Sequence, residues 1–159
     1  MSVTEGIRDG AAPRPASDNS ILWSDARLLG YGPMDSSHEE FYALAFRLLT
    51  CTDDSAPAAL AAFEEHAIAH FGQEEEWMRT TAFPPTECHV EEHDAVLRSL
   101  REVIVAVSAG HANAELARGF AAYLFQWFPG HADYLDAALA AWMSKRAYGG
   151  QPIVLRRSR

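Results

Sequence analysis

The chain has 159 residues, 48% of them hydrophobic and 22% charged, and carries a net charge of −9. That length fits one domain with a core that needs no staples, and the acidic balance argues against nucleic acid and anionic membrane surfaces as partners. Alanine is abundant and β-branched runs are scarce, which favours an all-α fold. Cys51 and Cys88 cannot make a disulfide framework and read as reduced thiols of a cytoplasmic protein. No stretch reaches the roughly 18–20 uninterrupted apolar residues of a membrane span, so no membrane insertion is expected. Met1 to Ser20 is polar and lacks the apolar segment of a signal peptide.

In chain order, residues 1–20, with Gly10, Pro13 and Pro15, read as a flexible N-terminal arm. Residues 21–148 hold the ordered part. An extended segment with Gly30, Gly32 and Pro33 leads to a first helix starting near Asp35, a good N-cap, with His38, Phe41, Ala45 and Leu48 on one stripe. Residues 50–55 close it. The second helix has Pro57 in its first turn, where the missing N–H costs nothing. Its inward stripe is Phe63, Ala67, His70, Glu74, Trp77 and Met78.

Pro84-Pro85-Thr86 makes the next turn and caps a third helix with His89, His93, Val96, Leu97, Leu100 and Ile104 inward, ended by Gly110. Asn113 can cap a fourth, with Leu116, Phe120, Tyr123, Leu124 and Trp127 inward. Pro129-Gly130 should kink or restart it, because proline lacks a donor and clashes with the preceding turn. Residues 149–159 form a short tail. Four helices with short links imply an up-down-up-down four-helix bundle with a kinked fourth helix.

Each helix carries metal-ligand types on its apolar stripe. His70 precedes Glu74 by four residues and His89 precedes His93 by four, so each pair lies one turn apart on one helical face. His38 stands on the first helix and His131 on the fourth. The His131–Asp136 spacing fits less naturally, since five residues turn an ideal helix by about 140°. Imidazoles and carboxylates converging from neighbouring helices are the ingredients of a transition-metal site. Without a metal, each unpaired group would cost about 1–3 kcal/mol of burial.

These residues resemble the hemerythrin family in its bacterial single-domain form. The likeness rests on Trp23, the Met34-Asp-Ser-Ser-His38 run, His70-Phe-Gly-Gln-Glu74-Glu75 with Met78, His89-xxx-His93, and Trp127 ahead of His131-xxxx-Asp136. It covers roughly residues 21–147. The resemblance implies that His89, His93 and His131 ligate one iron and His38 with His70 the other. Glu74 and Asp136 would bridge the two irons, with an oxo or hydroxo bridge completing the centre and one iron open to O2. Phe41, Val96, Leu97, Trp127, Phe128 and Leu135, each within a turn of a ligand, are the expected walls of the O2 pocket.

Five neutral imidazoles and two carboxylates leave little negative charge at such a centre, which suits oxygen binding better than the high-valent chemistry of carboxylate-rich bundle sites. The family reading is therefore reversible O2 binding for storage, delivery or sensing, not catalysis. It comes with no fused sensor in this chain and an oxygen-consuming protein as a separate partner. Alternatives are a di-iron oxidase, peroxidase or nitric-oxide reductase, and an iron store or ferroxidase; Mn or Zn also suits the ligand types. His66, one turn before His70, is expected beside the ligands and not among them. His111 is expected in an exposed turn. Glu75, Glu76, Glu91 and Glu92 read as a solvated acidic face, Cys88 as a small core filler, and Asp35 as a cap.

Overall fold

In a computed structural model the described residues are 21–84 and 86–149, so the predicted arm and most of the predicted tail lie outside them. Five helices form: α1 (Gly32–Leu49), α2 (Ala56–Thr80), α3 (Glu87–Ser108), α4 (Ala114–His131) and α5 (Ala137–Tyr148). A five-residue π turn, Ala132–Asp136, joins α4 to α5 and makes them one interrupted rod. α1 packs on α2 and α4, and α3 packs on the same two helices. With short links between consecutive helices, this is the four-helix bundle of the sequence reading.

The helix starts differ in detail from expectation. α1 begins one turn before Asp35, with Pro33 in its first turn. Proline fits there because the first N–H groups of a helix have no intrahelical acceptor. Asp35 instead accepts hydrogen bonds from the N–H groups of Leu29 (2.7 Å) and Gly30 (3.0 Å), which fixes the bend leading into the helix. Thr86 does not cap α3 through its side chain; its hydroxyl donates to the Phe83 carbonyl (2.7 Å). Asn113 does cap α4, accepting from the Glu115 N–H at 3.0 Å. Asp53 adds a second acceptor for that helix start, 2.9 Å from the Ala114 N–H.

At the C-terminus of α3, Gly110 (φ +73°) takes the left-handed conformation. Gly110 N–H bonds the Val107 carbonyl and His111 N–H the Ala106 carbonyl, a Schellman closure that requires that backbone. His111 is exposed there, as predicted. α2 ends in the same way, with the Phe83 N–H on the Met78 carbonyl (3.0 Å), but the left-handed position is held by Ala82 at φ +52°.

The buried stripe of α4 is rotated from the predicted one. Ala114, Ala117, Phe120, Ala121, Leu124, Phe125 and Phe128 are buried, while Leu116 and Tyr123 face outward, 41% and 43% exposed. Alanines supply much of the real seam, and a reading weighted toward large residues favours Leu116 and Tyr123 over them. Cys88 is likewise exposed, not a core filler.

The apolar interior is divided in two. One cluster runs through Phe41, Phe63, Phe71, Val96, Leu100 and Phe128. A smaller one holds Tyr31, Met34, Met78, Phe83, Leu139 and Met143. In all four arms the ligand-type residues lie in sequence between members of the two clusters: His38 between Met34 and Phe41, Glu74 between Phe71 and Met78, His93 between Val90 and Val96, Asp136 between Phe128 and Leu139. The polar layer thus lies between the two apolar clusters.

Pro129 and Gly130 are carried inside α4, and the break in helical register follows them as the π turn. Pro129 leaves the carbonyl one turn before it without its usual N–H partner. In the π turn Ala137 N–H reaches back five residues to the Ala132 carbonyl, which accommodates one extra residue in the turn. His131 and Asp136 therefore share a face, with His131 Nε2 3.1 Å from Asp136 Oδ1. The spacing that fits an ideal helix poorly is the spacing a π turn needs.

A left-handed Ala82 carries a Cβ penalty that glycine avoids, partly offset by glycine's greater freedom in the unfolded chain. Ala82→Gly should stabilise the protein by about 0.5–1 kcal/mol, read as a higher midpoint in chemical denaturation.

Candidate metal centre

All seven predicted ligand residues are buried, at 0–4% exposure, and their functional atoms meet in one layer. Glu74 stands at its centre. Its Oε1 faces His70 Nε2 (3.0 Å) and His38 Nε2 (3.5 Å), and its Oε2 faces His93 Nε2 (3.2 Å) and His89 Nε2 (3.3 Å). Asp136 is shared in the same way. Its Oδ2 lies 3.2 Å from His38 Nε2, and its Oδ1 lies 2.8 Å from His89 Nε2 and 3.1 Å from His131 Nε2. Each carboxylate gives one oxygen to the His38–His70 end and the other to the His89–His93–His131 end.

Two groups of atoms compact enough for a cation result: Glu74, His89, His93, His131 and Asp136 in one, and His38, His70 and Glu74 in the other. The protein alone does not satisfy these atoms. His38 Nε2, His93 Nε2, His131 Nε2, Glu74 Oε2 and Asp136 Oδ2 are buried without a well-aligned hydrogen-bond partner, despite carboxylate or imidazole atoms within 3.5 Å. For His93 and His131 the reason is chemical. Their Nδ1 atoms lie 3.2 Å from Glu75 Oε1 and 2.7 Å from Glu92 Oε2. A carboxylate only accepts, so in the neutral ring the proton belongs on Nδ1 and Nε2 is left as a lone pair. A bare lone pair facing a carboxylate oxygen calls for a cation between them. The donor set fits a pair of borderline transition-metal ions.

Electrostatics in the metal-free site say the same. Burial works against the imidazolium of His38, but the facing Asp136 and Glu74 carboxylates outweigh it and push the group up from 6.5 to about 9. His89 is pushed up to about 9 by the same balance. Burial also opposes the charge of Glu74, yet the surrounding imidazoles of His38, His70, His89 and His93 hold it well below the usual carboxylate range. Burial and the Glu74 charge raise Asp136, and His131, His38 and His89 more than reverse them. At neutral pH the two carboxylates are thus balanced by protons on His38 and His89, which incoming metal must displace.

Comparison with known proteins agrees with this geometry. Residues 29–142 match the Hemerythrin HHE cation binding domain. The chain belongs to the hemerythrin family. It is 35% identical to the "Bacteriohemerythrin" of Ralstonia nicotianae over 126 residues, which are 79% of this chain and 90% of that protein. No solved structure matches it.

Around the hemerythrin centre the predicted wall residues divide. Phe41, Val96 and Phe128 are buried, whereas Leu97, Trp127 and Leu135 are half-buried. Phe128 stands edge-on to His38 (4.9 Å between ring centres) and stacks on Phe41 (4.4 Å), which in turn meets His70 at 6.0 Å. These two phenylalanines form a dry wall at the two-histidine end. Trp127 stacks on His131 at 4.4 Å. On the other side of the two-histidine end, a cavity of about 150 Å³ between α1 and α2 reaches His70 and Glu74 past Ser37, Gln73 and Trp77.

Three residues around the ligands escape sequence reading. Phe71 lies flat on His93, 4.1 Å between ring centres and 8° between planes. Its position four residues after Ala67 was the available signal. Glu75 and Glu92, read from sequence as part of a solvated face, bond the candidate ligands His93 and His131 across helix boundaries. Periodicity carries no sign of that, because the contact depends on how far neighbouring helices are rotated toward each other. Glu76 fits the solvated reading: it pairs with exposed Arg79.

His66 stands beside the ligands, its ring 5.4 Å from His70 and its Nδ1 3.3 Å from Glu40. Burial and the neighbouring His70 lower its pKa, against the pull of Glu40. It belongs to neither cation-sized group among the described residues. His66→Ala should leave the number of bound metal ions unchanged, and elemental analysis that finds metal lost would place His66 in the ligand set.

The raised His38 and His89 stabilise the metal-free fold fully below their ordinary value of 6.5, and this is lost as pH rises through about 9. The depressed carboxylates contribute above their ordinary values of 4.5 and 3.8, and lose it as pH falls. Chelated protein should therefore melt highest between about pH 5 and 6.5 and lose melting temperature toward pH 9. A melting profile that stays flat between pH 6.5 and 9 would contradict this charge balance.

Proposed function

We propose that the protein binds O2 reversibly at a non-heme di-iron centre, for storage, delivery or sensing. The observation that carries this is the division of Glu74 and Asp136, each giving one oxygen to a three-histidine end and the other to a two-histidine end. Family membership and the likeness to a bacteriohemerythrin support O2 as the ligand. His89, His93 and His131 would hold one iron, His38 and His70 the other, with both carboxylates bridging and an oxo or hydroxo bridge between the metals. An iron pair held there would supply the electrons that O2 binding requires and take them back on release.

The chain's own residues then have defined tasks. Five imidazoles and two carboxylates keep the centre's charge low, which suits binding over oxidation of a substrate. The two-histidine end has fewer ligands and is the place for O2. Phe41 and Phe128 cover one side of that end and would keep water from it there, which protects charge developed on the ligand from protonation. Ser37 and Gln73 are polar groups lining the cavity that reaches this end.

No helix among the described residues is long and apolar enough to cross a membrane, and a cytoplasmic site of action fits that and the two free thiols. An oxygen-consuming protein is the partner this reading suggests. The second reading, a di-iron oxidase, peroxidase or nitric-oxide reductase, draws on the same cavity. An open approach to His70 and Glu74 would admit water and protons to the reacting end.

Anaerobic reduction followed by O2 separates the two. A visible charge-transfer band should appear and be reversed by removing O2. Rapid conversion to the oxidised protein with release of peroxide would favour catalysis, and fewer than two irons per chain would overturn both. His131→Ala should lose one iron or destabilise the pair, measured by iron analysis.

A further inference from the structure

The five ligand histidines are not supported alike. Nδ1 of His93 lies 3.2 Å from Glu75 Oε1, and Nδ1 of His131 lies 2.7 Å from Glu92 Oε2. Nδ1 of His38, His70 and His89 is buried with no hydrogen-bond partner among the described residues. The two supported rings are also the two stacked on aromatic faces, His93 on Phe71 at 4.1 Å and His131 on Trp127 at 4.4 Å. For His93 both supports come from α2 and are one turn apart, Phe71 beneath the ring and Glu75 at its edge. For His131 the stack comes from the preceding turn of its own helix and the carboxylate from α3.

Each of these rings is therefore fixed in two independent ways. Stacking sets the plane, and the hydrogen bond sets the rotation within it. Because a carboxylate accepts only, it also sets the tautomer, leaving Nε2 to the centre. A negative charge behind an imidazole makes it a stronger electron donor to a metal. Both such charges stand behind the His89–His93–His131 end, whereas Nδ1 of His38 and of His70 has no hydrogen-bond partner among the described residues.

We propose that Glu75 and Glu92 are positioning residues that make the three-histidine end the tighter and more electron-rich of the two metal positions. The weaker, more labile position is then the two-histidine end. This rests on the dinuclear reading above. It adds a built-in difference between the two metals that the ligand count alone only partly supplies. The carboxylates are 38% and 45% exposed, so they can be changed without opening the core.

Zinc binding to the chelated full-length protein, measured by competition with a chromogenic chelator, tests it without oxygen chemistry. The wild type should take up two ions in two steps. Glu92→Gln and Glu75→Gln should each weaken the tighter step by about 10–100-fold and leave the other in place. Glu92→Ala, which also removes the acceptor, should lose more than Glu92→Gln, and Glu91→Gln, at an exposed position, should change nothing. With His38→Ala, which removes the two-histidine end, the remaining step should still respond to Glu92→Gln. Fewer than two ions in the wild type would overturn the dinuclear reading, and this proposal with it. Two ions with unaltered affinities in the Glu75 and Glu92 variants, or a loss shared equally by both steps, would overturn this proposal alone. A loss that merely follows a lower melting temperature of the metal-free variants would also overturn it.

Discussion

Two carboxylates stand fully buried in a bundle that is otherwise apolar and aromatic at that level, and most of the structure can be understood as accommodating them. Glu74 and Asp136 have no solvent exposure, and an uncompensated charge in such a place is far more costly than the few kcal/mol that hold a domain together. Five imidazoles surround them, close enough to share protons when metal is absent and to share metal ions when it is present. Centre and fold are thereby coupled. The residues that could hold a cation are the residues whose burial is tolerable only with positive charge among them.

The two apolar clusters on either side of the layer give that charge its setting. They keep water from most of the site, which strengthens every interaction within it. They also allow the two ends to differ. Phe41 and Phe128 close over His38 and His70, while Phe71 and Trp127 lie flat against His93 and His131. One end is walled, and the other is braced. That arrangement suits one metal position that exchanges its ligands beside another that stays fixed.

The π turn holds Asp136 in the layer. A regular helix through residues 131–136 would swing Asp136 about 140° away from His131, out of the layer. With the extra residue absorbed, Asp136 reaches His38, His89 and His131 at 2.8–3.2 Å. The local irregularity costs some hydrogen bonding, and Pro129 just before it has already weakened the register. π turns concentrate at functional sites for this reason: they re-aim one side chain without redirecting the whole helix.

Much of this was determined by the sequence alone. Helix number and the periodicity of His38, His70, Glu74, His89 and His93 follow from the 3.6-residue repeat of a helix, which leaves an i, i+4 pair little choice but to share a face. The likeness of the whole ordered set to one family supplied His131 and Asp136, which periodicity could not pair. Tertiary structure decided what depends on rotation and distance between helices. It placed alanines and not Leu116 or Tyr123 in the seam of α4, and it resolved the 131–136 spacing as a π turn. It also turned Glu75 and Glu92 from a presumed solvated face into partners of His93 and His131. A carboxylate on the border of a helical face has the same sequence signature whether it meets water or the next helix. Only the packing of that neighbour settles which.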